Sequence, residues 1–142
     1  MATTDWPRRI DICPWGNWYS NTSYSTRTQY SGYFSGGTIV NGGVQNAEVV
    51  WKVPLSAGTW TLTLFYEKGS NIGNNHMYLD STALGSFDGY NASPIFTSVG
   101  EITGIVVASS GVYSLKAKVE SKNASSSNYH SRVIWVNLRR TA

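Results

Sequence analysis

From Glu48 to the end of the chain, apolar and polar residues alternate with a period of two in run after run, and turn clusters break the runs every ~8–12 residues. That pattern leaves few folds open, because strand side chains point alternately to opposite faces whereas a helix repeats every ~3.6 residues. No window sustains helical periodicity. The expectation is an all-β domain of antiparallel strands arranged as a jelly roll or β-sandwich.

In EVVWKV, Val49, Trp51 and Val53 share one face and Glu48, Val50 and Lys52 the other, with Pro54 ending the strand and LSAG turning the chain. TWTLTLFY follows, with Trp60, Leu62, Leu64 and Tyr66 expected inward and Thr59, Thr61 and Thr63 outward, since threonine suits a wet strand face. HMYLD and ALGSFD, joined by the two residues ST, read as a hairpin. EITGIVV and VYSLKAKVE are two more strands, the latter with Tyr113, Leu115, Ala117 and Val119 on its dry face. In the last strand, RVIWVNLRR, Ile134, Val136 and Leu138 alternate with Val133, Trp135 and Asn137, so both faces carry apolar area. A strand of that kind is expected to be central or to lie at a subunit interface, with Trp135 or its face-mates there.

The segment before Glu48 differs in kind. Trp6, Trp15, Trp18, Tyr19, Tyr24, Tyr30, Tyr33 and Phe34 are scattered among Ser, Thr, Asn and Gly, while Pro7, Pro14 and two Gly pairs interrupt any long strand. Residues 1–47 are expected to be an extended aromatic arm with one or two strands, and residues 48–142 the jelly-roll core of a single domain. Eight aromatics cannot dangle in water, so the arm must pack on its own domain or on a partner.

A chain of 142 residues can enclose a two-layer core without disulfide or metal staples, and Cys13, the only cysteine, permits no intrachain disulfide. The formal net charge of +3 comes from basic residues scattered as singles and pairs, which argues against nucleic acid as a partner. No apolar run approaches the ~20 residues of a membrane span, and MATTDWPRR lacks the apolar stretch of a secretion signal. Neither a membrane nor secretion is expected.

Catalysis finds little footing. His76 and His130 lie in or beside polar loops, and no serine sits in a G-x-S-x-G elbow. His76 and Asp80 could face the same way on a short strand, but no third partner accompanies them. Asp80, Asp88, Glu67, Glu101 and Glu120 fall at strand ends or on wet faces, away from the apolar setting a general acid needs. No calcium loop and no phosphate-binding loop is present, so no metal or cofactor is expected.

The segments NAEVVWKVPLSAGTWTLTLFYEKGSNIG, YLDSTALGSFDGY and GVYSLKAKVESKNASSSNYHSRVIWVNLRRT carry a resemblance to the domains at the carboxyl ends of tailed-phage fibre, tailspike and appendage proteins. The resemblance covers residues 46–141. It implies a homotrimeric jelly roll of the tumour-necrosis-factor type on a virion surface, assembled in the host cytoplasm and without enzymatic activity. Because only a short arm precedes the domain, the expected role is that of a capsid decoration, or cement, protein. Its partners would be itself and the major capsid protein or a fibre shaft, with Trp6, Trp15, Trp18, Tyr19 and Tyr24 forming the partner-binding arm. The alternative is a receptor-binding head that reads host surface glycans through the loops Glu67–Asn75 and Ser121–Ser131, using Asn71, Asn74, His76, Asn123, Tyr129 and His130.

Overall fold

The structure, a computed structural model, describes residues 6–12, 20–22, 24–27 and 38–142. Among these the chain forms β1 (Arg9–Ile12), β2 (Ser20–Thr22), β3 (Tyr24–Arg27), β4 (Thr38–Gly42), β5 (Glu48–Leu55), β6 (Gly58–Lys68), β7 (Asn74–Leu79), β8 (Thr82–Phe87), β9 (Ile95–Val107), β10 (Gly111–Ser121) and β11 (His130–Arg140). They build two antiparallel sheets. The first runs β3-β4-β11-β6-β9, with β1 also paired to β11; the second runs β2-β5-β10-β7-β8. Successive strands largely change sheets, as a jelly-roll sandwich requires.

The alternation that predicts the strands also builds the core. Val49, Trp51 and Val53 from β5, Trp60, Leu62, Leu64 and Tyr66 from β6, and Leu115, Ala117 and Val119 from β10 all point inward and are buried. The Trp60 indole N–H donates to the Ser56 carbonyl at 2.9 Å, which satisfies its one polar atom within the core. At one edge the sheets close so tightly that a Cβ on Gly100 would lie 2.3 Å from the Phe87 ring, so only glycine fits there.

Several local expectations are corrected. Before Glu48 the described residues hold four strands rather than one or two, and they enter both sheets. Pro54 does not end β5, which continues to Leu55; it lies beyond the stretch paired with β2, where among the described residues no second strand needs its missing N–H. The hairpin turn is Asp80–Ser81, one residue earlier than ST. There Asp80 takes a positive φ of 51°, and its carboxylate accepts from the Ser114 N–H at 2.8 Å. Thr61 faces outward as expected but is buried, standing directly opposite the longer Arg139.

The most consequential correction is in β11. Its register against β6 skips a residue between Val133 and Trp135, a β-bulge at Ile134. Ser131 and Val133 point inward before the bulge, and Val136 and Leu138 after it, all essentially inaccessible. Val133 therefore does not share a face with Trp135. The extra residue turns Trp135 outward, away from the core, and β11 is central in its sheet as expected.

Candidate functional site

Outward side chains of the first sheet fall into rows across β1, β11, β6 and β9. Arg9, Arg139 and Thr61 form one row; Asp11, Asn137, Thr63 and Glu101 the next; Trp135, Phe65 and Val99 the third. Directly opposite residues have Cβ atoms about 4.5–5.5 Å apart, so each row is continuous. Arg9, Thr63, Phe65, Ile134, Trp135, Asn137 and Arg139 line a shallow groove of about 460 Å³. The bulge at Ile134 makes this groove: with regular alternation after Val133, Trp135 would enter the core.

Asp11 organises the polar side. Its Oδ1 accepts from the Trp135 indole N–H at 3.1 Å and from Asn137 Nδ2 at 2.8 Å, while Arg9 Nε donates to its Oδ2 at 3.0 Å. The Arg9 guanidinium, helped by the Asn137 and Trp135 donors, holds the Asp11 carboxyl below its ordinary value against a smaller opposing effect of burial. A carboxyl lowered on folding contributes above its unfolded value of ~3.9, and that contribution is lost only as pH falls through the lower folded value. The Trp135 indole N–H resonance is therefore expected to hold its position from neutral pH down to about 4 and to move below that. A titration centred above the ordinary carboxylate value would contradict the arrangement.

What results is a half-buried indole locked by its edge, a second aromatic beside it, and amide, hydroxyl and guanidinium groups along one margin. Such a surface suits a ligand with an apolar face and a polar rim. A larger hollow of about 610 Å³ lies between the β7–β8 turn and β9. Among the described residues its one aromatic side chain is Tyr113, whose hydroxyl is already bound to the Ser109 carbonyl.

The residues expected to read glycans gather near one end of the sandwich, where they mainly hold the loops together. Asn123 Nδ2 donates to Asp88 Oδ2 at 2.9 Å, Asn74 Oδ1 accepts from the Gly89 N–H at 3.3 Å, and the Asn71 carbonyl accepts from the His130 N–H at 3.1 Å. Tyr129 packs partly against the core beneath the Lys122 ammonium. A Cβ on Gly89 would meet the Gly73 carbonyl at 2.1 Å, a measure of how closely these loops are drawn together.

His76 lies on the outer face of the second sheet, not beside Asp80. Its Nε2 is 2.8 Å from Ser121 Oγ, and its Nδ1 is 3.9 Å from Glu120 Oε2. No spacing in the sequence points to this Ser–His–Glu juxtaposition, which is the order of groups that activates a nucleophile. Two features withhold that role. The His–Glu distance exceeds a hydrogen bond, and Glu120 Oε1 is held by the Tyr78 hydroxyl, whose pKa that contact raises. Glu67, the most buried carboxylate among the described residues, is paired with Arg132 at 2.8 Å. Among the described residues no group of three or more His, Cys, Asp or Glu is placed to hold a metal ion.

Of the expected partner-binding aromatics, Trp6 is half-buried just before β1, and Tyr24 opens β3 opposite Asn41. Trp15, Trp18 and Tyr19 lie outside the described residues. Sequence reasoning singled out Trp135 but missed Arg9, Asp11, Phe65, Asn137 and Arg139. Asp11 and Trp135 are 124 positions apart, and no local signal connects them.

No protein-family model and no curated protein matches the chain. Among solved structures it is similar to a Paenibacillus xanthan lyase, with a TM-score of 0.72 and 19% identity over 87% of this chain, which spans 12% of that one. It is also similar to the C-terminal CBM6 of LamC, a marine laminarinase from Zobellia galactanivorans, with a TM-score of 0.64 and 12% identity, covering 93% of this chain and 99% of that one. A CBM35 from Paenibacillus barcinonensis gives a TM-score of 0.63 and 17% identity, covering 93% and 99%. These likenesses show the fold, a two-sheet jelly-roll sandwich; kinship with phage fibres is not shown.

Proposed function

We propose that this domain binds polysaccharide without transforming it, seating a sugar ring against Trp135 and Phe65 in the groove on the outer face of the first sheet. The observation that carries the reading is the bulge at Ile134, which turns a tryptophan out of a central strand and delivers its N–H to Asp11. Pyranose rings pair an apolar face with a hydroxyl rim, the combination this groove complements. Two of the similar structures are carbohydrate-binding modules by name, which supports a glycan ligand. The expectation of a capsid-decorating trimer rests on the phage-fibre resemblance, the aromatic arm and the two-sided last strand, and none of the similar structures adds support to it. A glycan-reading head agrees with the alternative drawn from that same resemblance.

Isothermal titration against a panel of soluble polysaccharides tests the site. Trp135→Ala is expected to weaken binding at least tenfold, because a buried aromatic anchor commonly contributes ~2 kcal/mol or more. Asn71→Ala and Asn123→Ala are expected to leave affinity within about twofold. If the loop substitutions eliminate binding while Trp135→Ala retains it, the ligand lies at the loop end and the groove reading fails.

A further inference from the structure

Two arginines stand directly opposite each other at the margin of the groove, Arg9 on β1 and Arg139 on β11. Like charges at directly opposite outward positions destabilise a sheet, so this pair is unfavourable unless anions compensate it. Among the described residues one side-chain carboxylate is bonded to the pair. Asp11 binds Arg9 through both oxygens, at 3.0 and 3.3 Å, and its Oδ1 also takes the Trp135 and Asn137 donors. Among the described residues none forms an ion pair or side-chain hydrogen bond with Arg139, which is exposed. The other carboxylate in these rows, Glu101, lies two strands from Asn137, about 10 Å away and near the Debye length at ordinary ionic strength.

We infer that the groove takes an acidic sugar, a uronate-bearing chain whose carboxylate is received by Arg139; this inference rests on the groove being the polysaccharide site. Trp135 and Arg139 point the same way along β11, four residues or roughly 13 Å apart. A ring stacked on the indole thus leaves the carboxylate of a residue further along the chain facing the guanidinium. Asn137 lies between them to accept or donate to ring hydroxyls. The planar guanidinium fork matches a carboxylate with two parallel hydrogen bonds, which a lysine at that position could not offer.

The test compares polygalacturonate with its methyl ester, which keeps the backbone and removes the charge, using the whole chain. Wild type is expected to bind polygalacturonate about tenfold more tightly than the ester. The preference should shrink as salt rises to about 0.5 M, and vanish in Arg139→Gln, whose affinities for acid and ester should become equal. Trp135→Ala should weaken both. Equal, Trp135-dependent affinity for acid and ester would overturn the acidic preference and leave the polysaccharide reading standing. A preference that persists in Arg139→Gln would overturn the role of Arg139, and tighter binding of dextran sulfate than of polygalacturonate would overturn the choice of carboxylate. Binding of none of these, nor of any neutral polysaccharide, would sink the inference together with the reading beneath it.

Discussion

Trp60→Ala is expected to destabilise the domain by about 3–5 kcal/mol, a large share of the ~5–15 kcal/mol that holds a domain folded. The indole is wholly inaccessible and belongs to a core that both sheets share, with Trp51, Leu62, Leu64 and Leu115 among its members. Truncation removes its contacts, opens a cavity that strand backbones cannot collapse into, and leaves the Ser56 carbonyl without its indole donor. Thr61→Ala, one residue away on the opposite face, provides the comparison. Because Thr61 is buried, its cost should be near 1 kcal/mol rather than negligible, still well short of Trp60→Ala. Chemical denaturation of the two variants decides the matter. Equal losses would mean that the inward face of β6 has been misassigned.

The contrast between these neighbours shows how far the sequence could be read. Period two over β5, β6 and β10 identifies the core face, because each strand carries most of its apolar residues on one side, Phe65 on the outer face of β6 being an exception, and a slip of one position would expose them. β11 lacks that protection. With apolar residues on both faces, its pattern cannot reveal where one extra residue shifts the phase, and the bulge at Ile134 stays hidden until the register against β6 is seen. The groove shared the same obscurity. Trp135 stood out as an apolar residue on a second face, which suggested a subunit interface, yet its meaning comes from Asp11 and Arg9 on a strand at the other end of the chain. The loop residues were legible as loops, and the fold does bring Asn71, Asn123 and His130 toward one end. That their polar groups tie loop to loop depends on partners that no spacing rule predicts.

Removing residues 1–47 is expected to abolish folding altogether, although the strand pattern from Glu48 onward reads as self-sufficient. The reason is the position of β11. β4 pairs with it through Val133↔Ile39 to His130↔Gly42, and β1 pairs with it through Ile12↔Val136 to Arg9↔Arg139. Truncation would turn the central strand of the first sheet into an unpaired edge along both stretches, with Val136 and Leu138 close behind it, a surface open to aggregation. It would also delete the buried Ile12 and Ala47. Asn41 would go too; only 1% exposed, its side-chain amide donates to the carbonyls of Val44 and Tyr129 at 2.8 and 2.9 Å. Losing so many paired backbone groups and core side chains at once exceeds the stability a domain of this size has in reserve. Circular dichroism and proteolysis of residues 48–142 provide the measurement. Asn41→Ala, costing about 1–3 kcal/mol, is the graded variant that should lower the melting temperature without unfolding the chain. A truncated protein that stays monomeric and melts cooperatively would show that the amino-terminal strands are an accessory, and that the sandwich is complete without them.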